Sequence, residues 1–97
     1  MITLKVYRKK GETVLAACDK ELLGKSFREG ELKLEVHAAF YEGEDADEEM
    51  LVNRLMNASI ANLVGERTIG IAVRHKMVHE ECVIRIQGVP HVQMVRM

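Results

Sequence analysis

The N-terminal nineteen residues constrain the fold more than any other stretch. Residues 2–8, ITLKVYR, place Ile2, Leu4 and Val6 on one side and Thr3, Lys5 and Tyr7 on the other. That two-residue period is the mark of a half-buried strand. KKGE at 9–12 is a turn signal, and TVLAACD from Thr13 reads as the returning strand. The chain therefore opens with a β-hairpin.

Strand and helix patterns then alternate. Asp19 is positioned to cap a short helix through KELLG, with Gly24 ending it in a left-handed conformation. ELKLEV, residues 31–36, alternates again, with Leu32, Leu34 and Val36 inward, and Gly30 closes the turn before it. The acidic run FYEGEDADEEM offers Asp45 as an N-cap and Asp47, Glu48 and Glu49 for a first helical turn, where the helix dipole favours negative charge. The following helix buries Leu51, Leu55 and Ala58, flanked by Val52 and Met56. NLVGERTIGIAVRHKM reads as a second long helix capped by Asn62, with Leu63, Ile69, Ala72, Val73 and Met77 near its buried side. CVIRI and HVQMVRM are strands joined by QGVP, which holds the only proline. The expected architecture is a single α+β domain over residues 1–97, with a mainly antiparallel sheet of about five strands and two main helices packed on one face.

Ninety-seven residues suit one domain, and the 47% apolar content is that of a folded globule. No run of about 18 apolar residues exists to span a membrane, and an N-terminus that alternates and turns polar after six residues does not fit a signal peptide. The cytoplasm is the expected location. Cys18 and Cys82 lack a CxxC spacing and are expected to be buried thiols, and the six methionines to be core filler.

The formal charge of −1 argues against a protein that coats nucleic acid. Its distribution is uneven: eight Lys/Arg against six Asp/Glu in residues 1–36, one against seven in 37–66, and five against two in 67–97. Mildly basic ends leave room for a local basic face.

Several motifs invite chemistry. Gly24-Lys25-Ser26 is how a phosphate-binding loop ends, but the glycine that pattern needs five residues earlier is replaced by Asp19, and the order runs from helix to strand rather than strand to helix. HKMVHEEC brings His75, His79, Glu80, Glu81 and Cys82 close in sequence, with His75 and His79 as weak metal candidates that lack a second ligand pair. No metal and no cofactor is expected. The acidic run at 42–49 lacks an EF-hand ligand pattern, and neither Ser26 nor Ser59 has a nucleophile's setting.

Two features suit recognition better. His91 and Gln93 share a strand face just after a rigid Gly-Val-Pro turn. Asn62, Glu66 and Arg67 fall at the expected N-terminal end of the last helix, where free N–H groups can hold an anion. Gly65 would sit inside that first turn at a cost of about 1 kcal/mol, which calls for close packing or close approach of a ligand.

Taken together, ACDKELLGKSFREGELKLEV, FYEGE, IANLVGE and VIRIQGVPHVQ resemble the archaeal family called domain of unknown function 424, from near residue 2 to the C-terminus. Val92 stands where the family pattern has alanine. The resemblance implies a small cytosolic archaeal protein and carries over no catalytic residues.

The leading expectation is a non-catalytic binding or adaptor module, engaging a protein or an RNA, with the translation machinery among the candidates. Its polar patch would comprise Asn62, Glu66, Arg67, His91 and Gln93, with Lys25 and Arg28. The alternatives are a small enzyme using His91 with Asn62 and Glu66 in a cleft, and a structural subunit of a homo- or hetero-oligomer.

Overall fold

The computed structural model describes residues 1–96. Met97, to which the expected last strand extended, lies outside the described residues. The opening hairpin forms as its period dictates: β1 (Ile2–Lys9) and β2 (Glu12–Asp19) pair antiparallel from Ile2↔Asp19 to Lys9↔Glu12. Lys10 and Gly11 both take positive φ, the conformation of a two-residue turn whose twist matches that of the strands.

The chain continues through a single 3-10 turn at Lys20–Leu22, a hairpin of β3 (Ser26–Glu29) and β4 (Leu32–Glu35), and the four-residue helix α1 (Ala38–Tyr41). Then come β5 (Glu44–Ala46), α2 (Glu48–Met56), β6 (Ile60–Val64), α3 (Glu66–Arg74), β7 (Ile84–Ile86) and β8 (Val89–Val95). Six strands form one sheet in the order β5-β1-β2-β6-β8-β7, and β3 and β4 form a second, two-stranded sheet. Every pair in the larger sheet is antiparallel except β2–β6.

The α+β class is as expected, with six strands plus two in place of about five. α2 and α3 are two main helices packed on one face, while the expected short helix through KELLG is only a 3-10 turn and a third, four-residue helix stands at Ala38–Tyr41. The largest correction concerns residues 62–77. They do not make one helix, because Gly65 has φ 109° and ψ 153°, a conformation open essentially to glycine alone and incompatible with a helical turn. The segment splits there into a strand ending at Val64 and a helix starting at Glu66. Asn62 is thus a strand residue, not a cap. Likewise Asp47, not Asp45, caps α2, its carboxylate accepting from Met50 N–H at 2.8 Å, while Asp45 lies in β5 and pairs with Lys20.

Both faces of the sheet are covered, unequally. On one face Leu4, Leu15, Ala17, Leu63 and Val92 pack against Leu51 and Leu55 of α2 and Ile69 and Ala72 of α3. On the other, Ala16, Cys18, Val64 and Ile86 lie under Leu34, Val36 and Tyr41, with Phe27 and Phe40 at the margin. This second layer explains why Thr3, expected outward, is fully buried, its Oγ1 accepting from Gly43 N–H at 3.0 Å. The hairpin β3–β4 and α1 are too small to cover the whole face.

Candidate binding face

The register of β6 and β8 builds the open area. Asn62 lies directly opposite Gln93, Ile60 opposite Val95, and Val64 opposite His91. Gly65 N–H donates to Pro90 C=O at 3.0 Å and Arg96 N–H to Ser59 C=O at 2.8 Å. The intervening pairs Ala61↔Met94 and Leu63↔Val92 therefore exchange the ladder bonds, and Asn62↔Gln93 is a non-hydrogen-bonded pair, the kind whose side chains lie closest. β2 extends the same rows, with Val14 beside Ile60 and Ala16 beside Asn62. One face thus carries an aliphatic row of Val14, Ile60 and Val95, then a row with two carboxamides, then His91. Val64 in that last row is buried, whereas Val95 is 60% exposed and Ile84, opposite His91, is 51% exposed. Burial pushes the His91 imidazole below its ordinary pKa, so it is held neutral near pH 7.

The pairing of His91 with Gln93 on one strand face is as expected. Asn62 joins them, though from a strand and not from a helix end. Glu66 and Arg67 do not. The Glu66 carboxylate sits on the Arg85 guanidinium at 2.6 Å, which holds it below the usual carboxylate range. Arg85 is paired with Pro90, on the face opposite His91. The expected convergence of His91 with Glu66 is therefore absent. Lys25 and Arg28 are exposed on the β3–β4 segment, Arg28 opposite Lys33. His75 ends α3 and its Nε2 is 2.7 Å from Glu48 Oε2, which also meets Arg74, whereas His79 stands in the following loop beyond the left-handed Lys76. Among the described residues no three His, Cys, Asp or Glu side chains are grouped to hold a metal.

The anion site expected at the N-terminus of the last helix exists, but the protein fills it. Asp19, 5% exposed at the end of β2, turns its carboxylate onto α3, accepting from Arg67 N–H at 3.0 Å, Thr68 N–H at 2.8 Å and Thr68 Oγ1 at 2.8 Å. These groups and the positive end of the helix dipole compensate a buried charge. A Cβ on Gly65 would lie 2.4 Å from Asp19 Cγ, so the glycine that looked misplaced in a helix makes way for this carboxylate. At the 3-10 turn beside it, where the local pattern expects Asp19 to cap, its side chain makes no capping bond. Only the oddity of Gly65 hinted at the true partner. The local rule found the right residue type and the wrong helix.

The exposed cysteine is a further correction. Cys18 is fully buried and its thiol is pushed up to about 12, by burial first and then by the charges of Asp19 and Glu21, but Cys82 is exposed.

The sequence matches the model of the protein family of unknown function DUF424 over residues 7–97, and the chain belongs to that family. Its fold is that of an uncharacterized conserved protein from Methanopyrus kandleri seen in a crystal structure, with a TM-score of 0.81 at 23% identity, covering 99% of this chain and 93% of that one. No curated protein matches the sequence significantly.

Proposed function

We propose that this member of the DUF424 family is a non-catalytic binding module that meets a protein partner with the uncovered half of its sheet. The observation that supports this is the β6–β8 register, which sets Asn62, Gln93 and His91 beside exposed aliphatic side chains on one face. A neutral imidazole and two carboxamides supply donors and acceptors without charge, and the row Val14, Ile60 and Val95 supplies apolar contact. Such a mixture suits the core of a protein interface, where charged residues are depleted. A photo-crosslinking amino acid at Gln93 is expected to trap a discrete protein in native extract, and the product is expected to vanish when Asn62→Arg is added. The same crosslinker at Asn53, on α2, is expected to trap nothing comparable. Equal products from the two positions, or none from Gln93, refute the reading.

RNA is the second partner class, supported by Arg8, Lys9 and Lys10 at the hairpin tip, all exposed. Against it, Tyr7 is stacked on Phe40 at 5.3 Å between ring centroids, so its ring is occupied within the protein and less open to stacking by a base. Electrostatic RNA binding requires affinity for total RNA that falls with salt, with a shallower slope after Lys9→Ala and Lys10→Ala. A salt-independent affinity removes this reading.

A further inference from the structure

The outer edge of β8 is bare over its second half. β7 pairs with β8 only as far as His91, so among the described residues Val92 to Val95 have β6 on one side and no strand on the other. The ladder shows which backbone groups are left. Pro90 and Arg96 bond toward β6, so the even-numbered residues between them do the same, and odd-numbered residues turn their N–H and C=O away. Val89 and His91 meet β7. Gln93 and Val95 meet no backbone partner among the described residues.

Pro90 fits the same logic. In a strand flanked on both sides, a proline is tolerated only where no ladder N–H is required. Its nitrogen points toward β6 at Gly65, beyond the last β6 residue, and the Gly65 carbonyl already accepts from Ile69 N–H in α3.

Facing the bare edge is the segment from Met77 to Cys82. Between them lies a cavity of about 220 Å³ lined by Met77, Val78, His79 and Cys82 on one side and by Val92, Gln93, Met94 and Val95 of β8 on the other. The opposite outer strand of the sheet, β5, is protected against pairing by exposed Glu44 and Asp45. Val92–Val95 carries no charge and no proline.

We propose that this edge accepts an extended peptide segment of a partner protein as an added strand. It rests on the reading of the adjoining face as a binding surface, and it names the form of the partner. The main chain of the segment bonds to the N–H and C=O of Gln93 and Val95, and its residue opposite Met94 places an aliphatic side chain beside Met77 and Val78. Its two neighbouring residues face Gln93 and Val95 on the open sheet face. Unpaired ladder groups select an extended backbone, and the methionines adapt to more than one aliphatic shape.

The full chain panned against displayed random nine-residue peptides tests this. Enriched peptides are expected to share one aliphatic residue at a fixed position and to slow amide exchange at Gln93 and Val95. Val95→Pro removes one outward N–H while leaving the bonds to β6, and is expected to weaken peptide binding at least tenfold without unfolding the sheet. Should that variant fold poorly, Cys82→Trp, which fills the cavity from an exposed position, and N-methylation of the peptide amides facing β8 are expected to give the same loss. Failure to enrich any peptide overturns the proposal, as do enriched peptides that bind Val95→Pro, or bind Cys82→Trp and in N-methylated form, as tightly as the parent. Self-association that Val95→Pro abolishes, without peptide enrichment, overturns it in favour of a second copy of the chain. Loss of the Gln93 crosslink in Asn62→Arg, with no effect of the edge changes, overturns strand addition alone and leaves the open-face reading standing.

Discussion

Replacing Asp19 by alanine probes the contact that joins the two halves of the chain. The substitution removes an acceptor from Arg67 N–H, Thr68 N–H and Thr68 Oγ1, and Thr68 is fully buried. Loss of an N-cap costs about 1 kcal/mol. A buried donor left unsatisfied costs about 1–3 kcal/mol more. The sum for Asp19→Ala is about 3 kcal/mol, out of a total stability on the order of 5–15 kcal/mol for a chain of this size. In thermal unfolding that corresponds to a fall in Tm of roughly 12–24 °C. Gly65→Ala acts on the same contact from the other side. It strains a backbone at φ 109° by about 1–3 kcal/mol and drives a Cβ into Asp19 Cγ. Once Asp19 is alanine the Cγ is gone and only the backbone part remains. The two changes together should therefore cost at least about 1 kcal/mol less than their sum. Urea unfolding of the parent, both single variants and the double variant at pH 7 measures this directly. Costs that add to within about 0.5 kcal/mol, or an Asp19→Ala loss below about 1 kcal/mol, would refute the capping account.

Three further outcomes are expected. Because the folded state disfavours protonation of His91, the unfolded chain takes up a proton first as pH falls below about 6.5; stability then drops between that value and the lower folded one, and His91→Gln should flatten this part of the stability–pH curve measured by denaturant melts. A thiol reagent at pH 8 should modify Cys82 within minutes and leave Cys18 unreacted until the protein unfolds, as counted by mass spectrometry. Gly43→Ala should destabilise by about 2 kcal/mol or more, because its Cβ would overlap the Leu4 carbonyl where β5 meets β1, and thermal melts report the loss.

Elements whose signals are local were legible. The opening hairpin and the buried stripe of Leu51 and Leu55 follow from side-chain period alone, and Gly24 does adopt a positive φ. Residues 60–64 were not legible, because Ala61, Leu63 and Val64 satisfy a helical stripe as well as a doubly covered strand. What separates the two is Gly65, whose conformation serves a carboxylate forty-six positions earlier in the chain. β3 is illegible for a different reason: SFRE has one partly buried residue, Phe27, and strands of a small outlying hairpin carry little apolar period. For the candidate site, the two-residue period placed His91 with Gln93. Bringing Asn62 opposite Gln93 required the pairing of β6 with β8, which no local pattern encodes. The bare edge of β8 was hidden likewise, since it depends on where β7 ends.

The lone parallel pair has a consequence for how the chain reaches this state. β1 and β2 zip from a two-residue turn, but β6 can join β2 only after the intervening hairpin, α1, β5 and α2 have been bridged. The crossing is latched at both ends: at one, Ser59 N–H donates to Thr13 C=O and Thr13 N–H to Ser59 Oγ, and at the other Asp19 grips α3. Closing so long a loop costs entropy before any contact across it forms, which slows folding. Doubling the loop adds only about 0.6 kcal/mol, however. The exposed tip at Gly30–Glu31 is therefore a place where the chain can lengthen during evolution while both latches stay shut.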